Sequence, residues 1–246
     1  MSYATDKVAL VTGGSRGIGA EVARRLASDG FTVAVNYTSN EEAAKAVVAD
    51  ITSAGGKAFT VLADVSDADA VAKMFADIAA RGSEVAVLVN NAGIMELAPI
   101  AKMDGATFDR MVAINLKGTF NTLQEAAKRM AGGGRIINFS TSVTKLRLPA
   151  YGAYAATKAA VETLTAILAR EVRGRNITVN AVAPGPVATE LFFKGKSDEL
   201  VANITKMAPL ERLGQPDDIA SVVSFLAGPD GAWVNGQTLF ANGGAA

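Results

Sequence analysis

Seven short apolar runs, each separated from the next by a longer stretch of helical pattern, limit the architectures open to this chain. The runs are Val8–Val11, Phe31–Val35, Ala58–Leu62, Val85–Val89, Arg135–Phe139, Ile177–Val182 and Gln237–Phe240. Most are continuously apolar rather than alternating, as expected of strands buried on both faces. Helical patterns are expected near Gly17–Ser28, after an Asn40 cap with Glu41 and Glu42 in the first turn, and over Asp67–Ala80. Further helices are expected over Phe108–Met130 and Tyr151–Arg173, and from Pro216, where proline suits a first turn. Repeated β-α units of this kind predict an α/β fold: a single Rossmann-type domain over residues 1–246, a doubly wound parallel sheet with helices on both faces. Gly132-Gly133-Gly134 marks a tight reversal between a helix and a strand. The least strand-like insertion, 184–213, is expected to form a substrate loop or lid.

Composition narrows the chemistry. The 246 residues include no cysteine and no histidine. Disulfides, thiolate nucleophiles and zinc–thiolate sites are therefore excluded, and no metal site is expected. The commonest general base is missing too, so acid–base work near neutrality falls to a perturbed Asp, Glu, Lys or Tyr. Lys and Arg total 24, as do Asp and Glu, so no net charge draws the chain to nucleic acid or an anionic membrane. No apolar run approaches the ~18 residues needed to span a bilayer. Met1 to Lys7 lack the layout of a signal peptide, and a cytoplasmic protein is expected.

Thr12-Gly13-Gly14-Ser15-Arg16-Gly17-Ile18-Gly19 follows the first strand and opens the first helix. Glycines there let the backbone approach a pyrophosphate, and the helix N-terminus offers free N–H groups. The spacing is not the usual GxGxxG, and a glycine-rich turn serving only packing is the alternative. The second strand ends in Asn36-Tyr37-Thr38-Ser39-Asn40, with no acid before Glu41. A carboxylate there would accept from the ribose 2′-hydroxyl of NAD; hydroxyls and amides, with Arg16 nearby, suit a 2′-phosphate. NADP(H) is therefore expected over NAD(H), unless Arg16 is merely solvated.

Tyr154 and Lys158 are one helical turn apart and share a face. An ammonium beside a phenol lowers the phenol's pKa from about 10, which a tyrosine acid/base needs. Strand ends supply the surroundings: Ser140-Thr141-Ser142 after the fifth run and Asn90-Asn91-Ala92-Gly93 after the fourth. Ligands of open parallel sheets bind at that edge, although caps and turns favour the same residue types.

These motifs, with Asp64-Val65, Asn115 and Pro184-Gly185, resemble the short-chain dehydrogenase/reductase family over essentially the whole chain. Asn36-Tyr37 and Trp233–Gln237 are similar to its polyhydroxynaphthalene-reductase-like and 3-oxoacyl-reductase-like members. The resemblance implies that Gly13, Ser15, Arg16, Gly17, Ile18 and Gly19 hold the dinucleotide phosphates. It implies that Asp64 accepts from the adenine amino group, that Val65 contacts the ring, and that Asn91, Ala92 and Gly93 line the adenine ribose. Asn36, Tyr37, Thr38 and Ser39 would border the 2′-phosphate, and Pro184, Gly185, Val187 and Thr189 would meet the nicotinamide.

By the same resemblance Tyr154 donates a proton to the substrate oxygen and Lys158 holds the nicotinamide ribose. Asn115 would hold a water in a proton relay, or else be a polar residue in a kinked helix. The family usually has serine thirteen residues before the tyrosine; here that residue is Thr141, with Ser142 as the alternative. Candidate substrate walls are Met95, Leu97, Leu146 and Leu148, together with Tyr151, Phe192 and Phe193; ordinary core or a subunit interface would explain the same residues. The implied partner is a small carbonyl or alcohol substrate, and the implied assembly a homotetramer. Other functions compatible with the motifs are a non-catalytic NADP(H)-sensing regulator and a sugar-nucleotide epimerase or dehydratase.

Overall fold

The computed structural model describes residues 7–246; the N-terminal residues 1–6, on which the expectation about a leader mainly falls, lie outside it. The first strand, β1 (Val8–Val11), is wholly buried and serves two cores at once. Ala9 and Val11 join one apolar cluster, Val8 and Leu10 the other. Alternate residues of a strand point to opposite faces, so an uninterrupted aliphatic run is what a sheet covered on both sides requires. Each such fully buried aliphatic side chain contributes roughly 1.5–3 kcal/mol relative to exposure.

The remaining strands are β2 (Thr32–Tyr37), β3 (Lys57–Leu62), β4 (Val85–Asn90), β5 (Arg135–Phe139), β6 (Thr178–Pro184) and β7 (Thr238–Ala241). They form one seven-stranded sheet in the order β3-β2-β1-β4-β5-β6-β7, every pair parallel. All seven expected strands are present, with ends differing by one or two residues. Chain direction reverses its progress across the sheet between β1 and β4, which is where open parallel sheets form their ligand crevice.

Helices α1 (Gly17–Ser28), α2 (Glu41–Ser53) and α10 (Pro216–Ala227) bury Val22, Leu26, Val47, Ile219 and Val223 in one cluster. Helices α3 (Ala68–Ala79), α5 (Gly118–Arg129) and α7 (Gly152–Glu171) cover the opposite face with Met74, Ile78, Leu123 and Leu168. Their starts follow the sequence signals. Asn40 accepts from the Ala43 N–H at 3.0 Å, and Asp67 accepts from Asp69 and Ala70. Gln215 and Asp218 form a reciprocal capping box around Pro216.

The helix expected to run from Phe108 to Met130 is not continuous. It divides into α4 (Gly105–Met111), a π-helical turn (Val112–Lys117) and α5. A π turn holds one residue more than an α turn, and such bulges cluster at functional sites. The 184–213 insertion is also more ordered than a loop. It holds α8 (Glu190–Phe193), capped by Thr189, and α9 (Asp198–Thr205), capped by Ser197. The remaining helix, α6 (Val143–Leu146), follows β5 directly. Among the described residues no helix is long and apolar enough to cross a membrane.

Candidate active site

The turn after β1 is locked to the turn after β4. Thr12 Oγ1 accepts from the N–H groups of Asn91 and Ala92, both at 3.1 Å, and donates to the Val89 carbonyl at 3.3 Å. Asn91 Nδ2 donates to the carbonyls of Thr12 and Gly13, each at 3.0 Å. Gly13 takes φ +60°, which favours glycine, and a Cβ on Gly19 would collide with Asn91 Nδ2 and the Gly13 carbonyl. Glycine is thus required where the loop crosses the strand ends.

Arg16 precedes α1 without a side-chain cap, and α1 has no acid in its first turn. Its N-terminal donors and positive partial charge are therefore available to a pyrophosphate, and these residues fit a dinucleotide. Arg16 is exposed beside this turn, and Thr38 and Ser39 are exposed after β2.

Asn36 is placed differently from its expected role at the 2′-phosphate. The residue is buried; its Nδ2 donates to the carbonyls of Val61 and Ala63, and its Oδ1 accepts from the Gly13 N–H at 3.2 Å. This amide joins β2, β3 and the glycine turn, so what it holds in place is backbone. Asp64 Oδ1 accepts from both the N–H and the hydroxyl of Ser66. Val65 is buried against Gly118, where a side chain would clash, and its carbonyl accepts from Asn121.

At the other end a cavity of about 190 Å³ opens between the sheet edge and the 184–213 segment. Thr141, Tyr154, Lys158, Pro184, Gly185 and Val187 all contribute to its wall, as do Ile18, Asn91, Gly93 and Thr189. Lys158 is buried; its Nζ donates to the Phe139 carbonyl at 2.9 Å and lies 6.0 Å from the Tyr154 ring centre. Gly93 makes room for this group: a Cβ there would stand 3.2 Å from Asn115 Oδ1 and 3.6 Å from Lys158 Nζ.

The electrostatics reverse the expectation that the ammonium depresses the phenol's pKa. Burial pushes Tyr154 up to about 12, against a lowering hydrogen bond with Thr141, while a nearby Tyr151 adds to the rise. Burial also lowers Lys158 to about 8. Both side chains share one desolvated pocket, and the lysine's proton is directed at a backbone carbonyl. In the protein alone, Tyr154 is therefore a firmly protonated acid at neutral pH.

The three consecutive hydroxyls after β5 have three different destinations. Ser140 donates to Glu162 Oε1 at 2.5 Å, and Thr144 donates to the same oxygen at 2.9 Å. Ser142, the alternative to Thr141, is turned toward β6 and β7: it donates to the Ala183 carbonyl at 3.3 Å and accepts from Asn242 Nδ2 at 3.1 Å. Thr141 is the hydroxyl that acts on the tyrosine, lowering its pKa against the effect of burial. Glu162, one turn beyond Lys158 on α7, pins the residues flanking Thr141, a role no sequence motif signalled.

Asn115 sits in the π turn, fully buried, with its amide occupied on both sides. Oδ1 accepts from the Ile94 N–H at 2.8 Å, and Nδ2 donates to the Ile94 carbonyl at 2.9 Å and to Thr157 Oγ1 at 3.3 Å. The side chain clamps the loop after β4 to α7, and its place in the π turn fits the alternative of a polar residue in an irregular helix.

Of the expected substrate walls, Met95, Leu146, Leu148, Tyr151 and Phe192 line the cavity. Leu97 and Phe193 do not; they are 39% and 45% exposed, and Phe193 packs edge-on against Phe192 from outside. The wall also includes Ile94, Leu191, Lys196, Ile204 and Met207, most of them from the helical segment above the sheet. Lys194 of that segment pairs with Glu96 of the β4–α4 loop at 3.0 Å, an exposed contact that ties the segment to that loop.

Comparison with known proteins agrees with the fold. A family model described as enoyl-(acyl carrier protein) reductase matches residues 13–246. A short-chain type dehydrogenase/reductase of Picea abies is 45% identical, with 97% of this chain and 92% of the relative covered. An NADPH-dependent aldehyde reductase-like protein of Arabidopsis thaliana, designated chloroplastic, is also 45% identical, covering 97% and 93%. The crystal structure of a dehydrogenase/reductase from Sinorhizobium meliloti superposes with a TM-score of 0.94 at 39% identity, over 99% of this chain and 96% of that one.

Proposed function

Because the chain belongs to the short-chain dehydrogenase/reductase family, we propose that it is an NADP(H)-dependent carbonyl reductase, interconverting a ketone or aldehyde with an alcohol. The observation that carries this reading is the meeting of Tyr154, Thr141 and Lys158 on one cavity wall with Pro184 and Gly185. Bound NADPH would supply the hydride. The chain's own residues position the substrate and manage the proton. Tyr154 donates its hydroxyl proton to the substrate oxygen, and Thr141 orients that oxygen beside the phenol. Lys158, with its protonation equilibrium near neutrality, holds the ribose and restores the proton to Tyr154. Asn115 keeps the β4 loop, and with it Gly93, packed against Lys158. The 184–213 segment serves as the lid over this cavity and excludes water.

Preference for NADP(H) rests on Arg16, Tyr37, Thr38 and Ser39 bordering the adenine end with no carboxylate at the end of β2, and on the NADPH dependence named for the Arabidopsis relative. In a panel of apolar ketones, kcat/KM with NADPH is expected to exceed that with NADH by about tenfold or more. Arg16→Ala should shrink that ratio about tenfold, the worth of one charge-assisted contact. Equal use of both coenzymes would remove the preference; no turnover with either would remove the reductase.

A homotetramer is part of the proposal. Phe120 of α5 and Ile167 of α7 are about half exposed, and Phe225 of α10 and Trp233 are exposed as well, Trp233 at 99%. Large apolar side chains exposed on several helices suit the interfaces of a dimer of dimers. Sedimentation velocity reads the assembly directly, and a monomer at micromolar concentration would refute it. A cytoplasmic setting belongs to the same proposal.

A further inference from the structure

Ten ion pairs join acidic and basic side chains among the described residues, and Lys196 takes part in none. It lies between α8 and α9 on the cavity wall, among Leu191, Phe192, Ile204 and Met207. Its Nζ donates to the Phe192 carbonyl at 2.5 Å and stands 4.9 Å from the centre of the Phe192 ring. Burial lowers its pKa, and no ion pair joins it to Asp198 or Glu199, which follow closely in sequence. One of the ammonium's three donors is used on the carbonyl, which leaves two for another acceptor.

The ammonium is partly exposed and has no ion-pair partner, so it is available for a charge-assisted contact with an anionic group entering the cavity. Capping the last turn of α8 would explain the carbonyl contact, but not the position of the group on the cavity wall. The other cation on this wall, Lys158, is committed to the Phe139 carbonyl at the catalytic end. Resting on the reductase reading above, we infer that the site takes ketones bearing a carboxylate at the far end of an apolar body, with Lys196 pairing that carboxylate while Tyr154 meets the carbonyl. The apolar wall between the two ends accommodates the intervening carbons.

The test is a matched pair, 4-acetylbenzoate and its methyl ester, in which the ring lies between the two polar ends, reduced with NADPH by the wild-type protein, Lys196→Met and Lys196→Arg. The quantity read is the ratio of kcat/KM for the acid to that for the ester, which cancels changes common to both. Lys196→Met should lower this ratio by about tenfold or more, chiefly through KM for the acid, and Lys196→Arg should preserve most of it. Added salt should raise KM for the acid in the wild type and not in Lys196→Met. A ratio equal in wild type and Lys196→Met, with both ketones reduced, overturns this inference and leaves the reductase standing. Failure of the wild type to reduce either ketone, or any other carbonyl offered, overturns both.

Discussion

Tyr154→Phe is expected to lower kcat/KM for ketone reduction by at least about 10²–10⁴-fold, the usual contribution of a positioned general acid, while NADPH still binds. The removed atom is the one that Thr141 reaches, and it belongs to the phenol one helical turn before Lys158. Tyr151 supplies a built-in control. It is a second phenol on the same cavity wall, also pushed upward by burial, but it precedes α7 and has no lysine one turn below it. Tyr151→Phe should cost far less than Tyr154→Phe, and equal losses would mean that the acid has been misassigned. The direction of the pKa adds a second signature. A phenol held up to about 12 keeps its proton throughout the neutral range, so any fall in reduction between pH 6 and 9 should follow the loss of the Lys158 proton near 8 and not that of the phenol. Alcohol oxidation needs the phenolate, and its rate should climb steadily from pH 7 to 10. A flat oxidation profile over that range would contradict the assignment.

Lys158→Met should abolish most activity, by at least about 100-fold, and yet make the coenzyme-free protein harder to melt. The lysine's pKa falls from its ordinary value of 10.5 to about 8 in the fold because its charged form is desolvated. At ~1.4 kcal/mol for each pH unit of displacement, carrying that charge costs roughly 3 kcal/mol. The lost hydrogen bond to the Phe139 carbonyl offsets about 1 kcal/mol of the gain, and methionine fills the same unbranched volume. The sign follows from proton counting. Between pH 8 and 10.5 the unfolded chain holds a proton that the folded chain has released, so stability rises with pH across that window. The wild type should therefore gain Tm from about pH 7.5 to 9.5, and the variant should lack this gain while melting a few degrees higher at about pH 7.5. A variant that melts lower at that pH, or that retains the pH dependence, would show that the ammonium is not strained by its burial.

Much of the architecture is legible in the sequence because it depends on local and repeated signals. A strand buried on both faces must be aliphatic at nearly every position, and β1, β4 and β6 largely obey this, so their number and parallel order follow from the pattern. The turn after β1 is legible for a similar reason: positive φ and close backbone approach leave only glycine. What escapes is set by partners distant in sequence. Nothing within Ser140-Thr141-Ser142 says which hydroxyl faces the tyrosine; Glu162 and Asn242 decide it by taking the other two. Asn36 ends a strand, where an amide suits a ligand, but β3 and the glycine turn claim its hydrogen bonds first. Leu97 and Phe193 are as apolar as their neighbours, and only the fold shows that they face away. Lys196 is hard to find for the opposite reason, since the apolar residues around it suggest a wall without charge.

The π turn at Val112–Lys117 carries a tension between regularity and aim. Removing one residue there would return the segment to an unbroken α-helix with better-aligned hydrogen bonds. Each residue of such a helix advances the side chains by about 100°, so the deletion would swing Asn115 away from Ile94 by roughly that angle. The surplus residue acts like a vernier: it spoils the spacing of one helix so that a single amide, far from either end, points at the right strand exit.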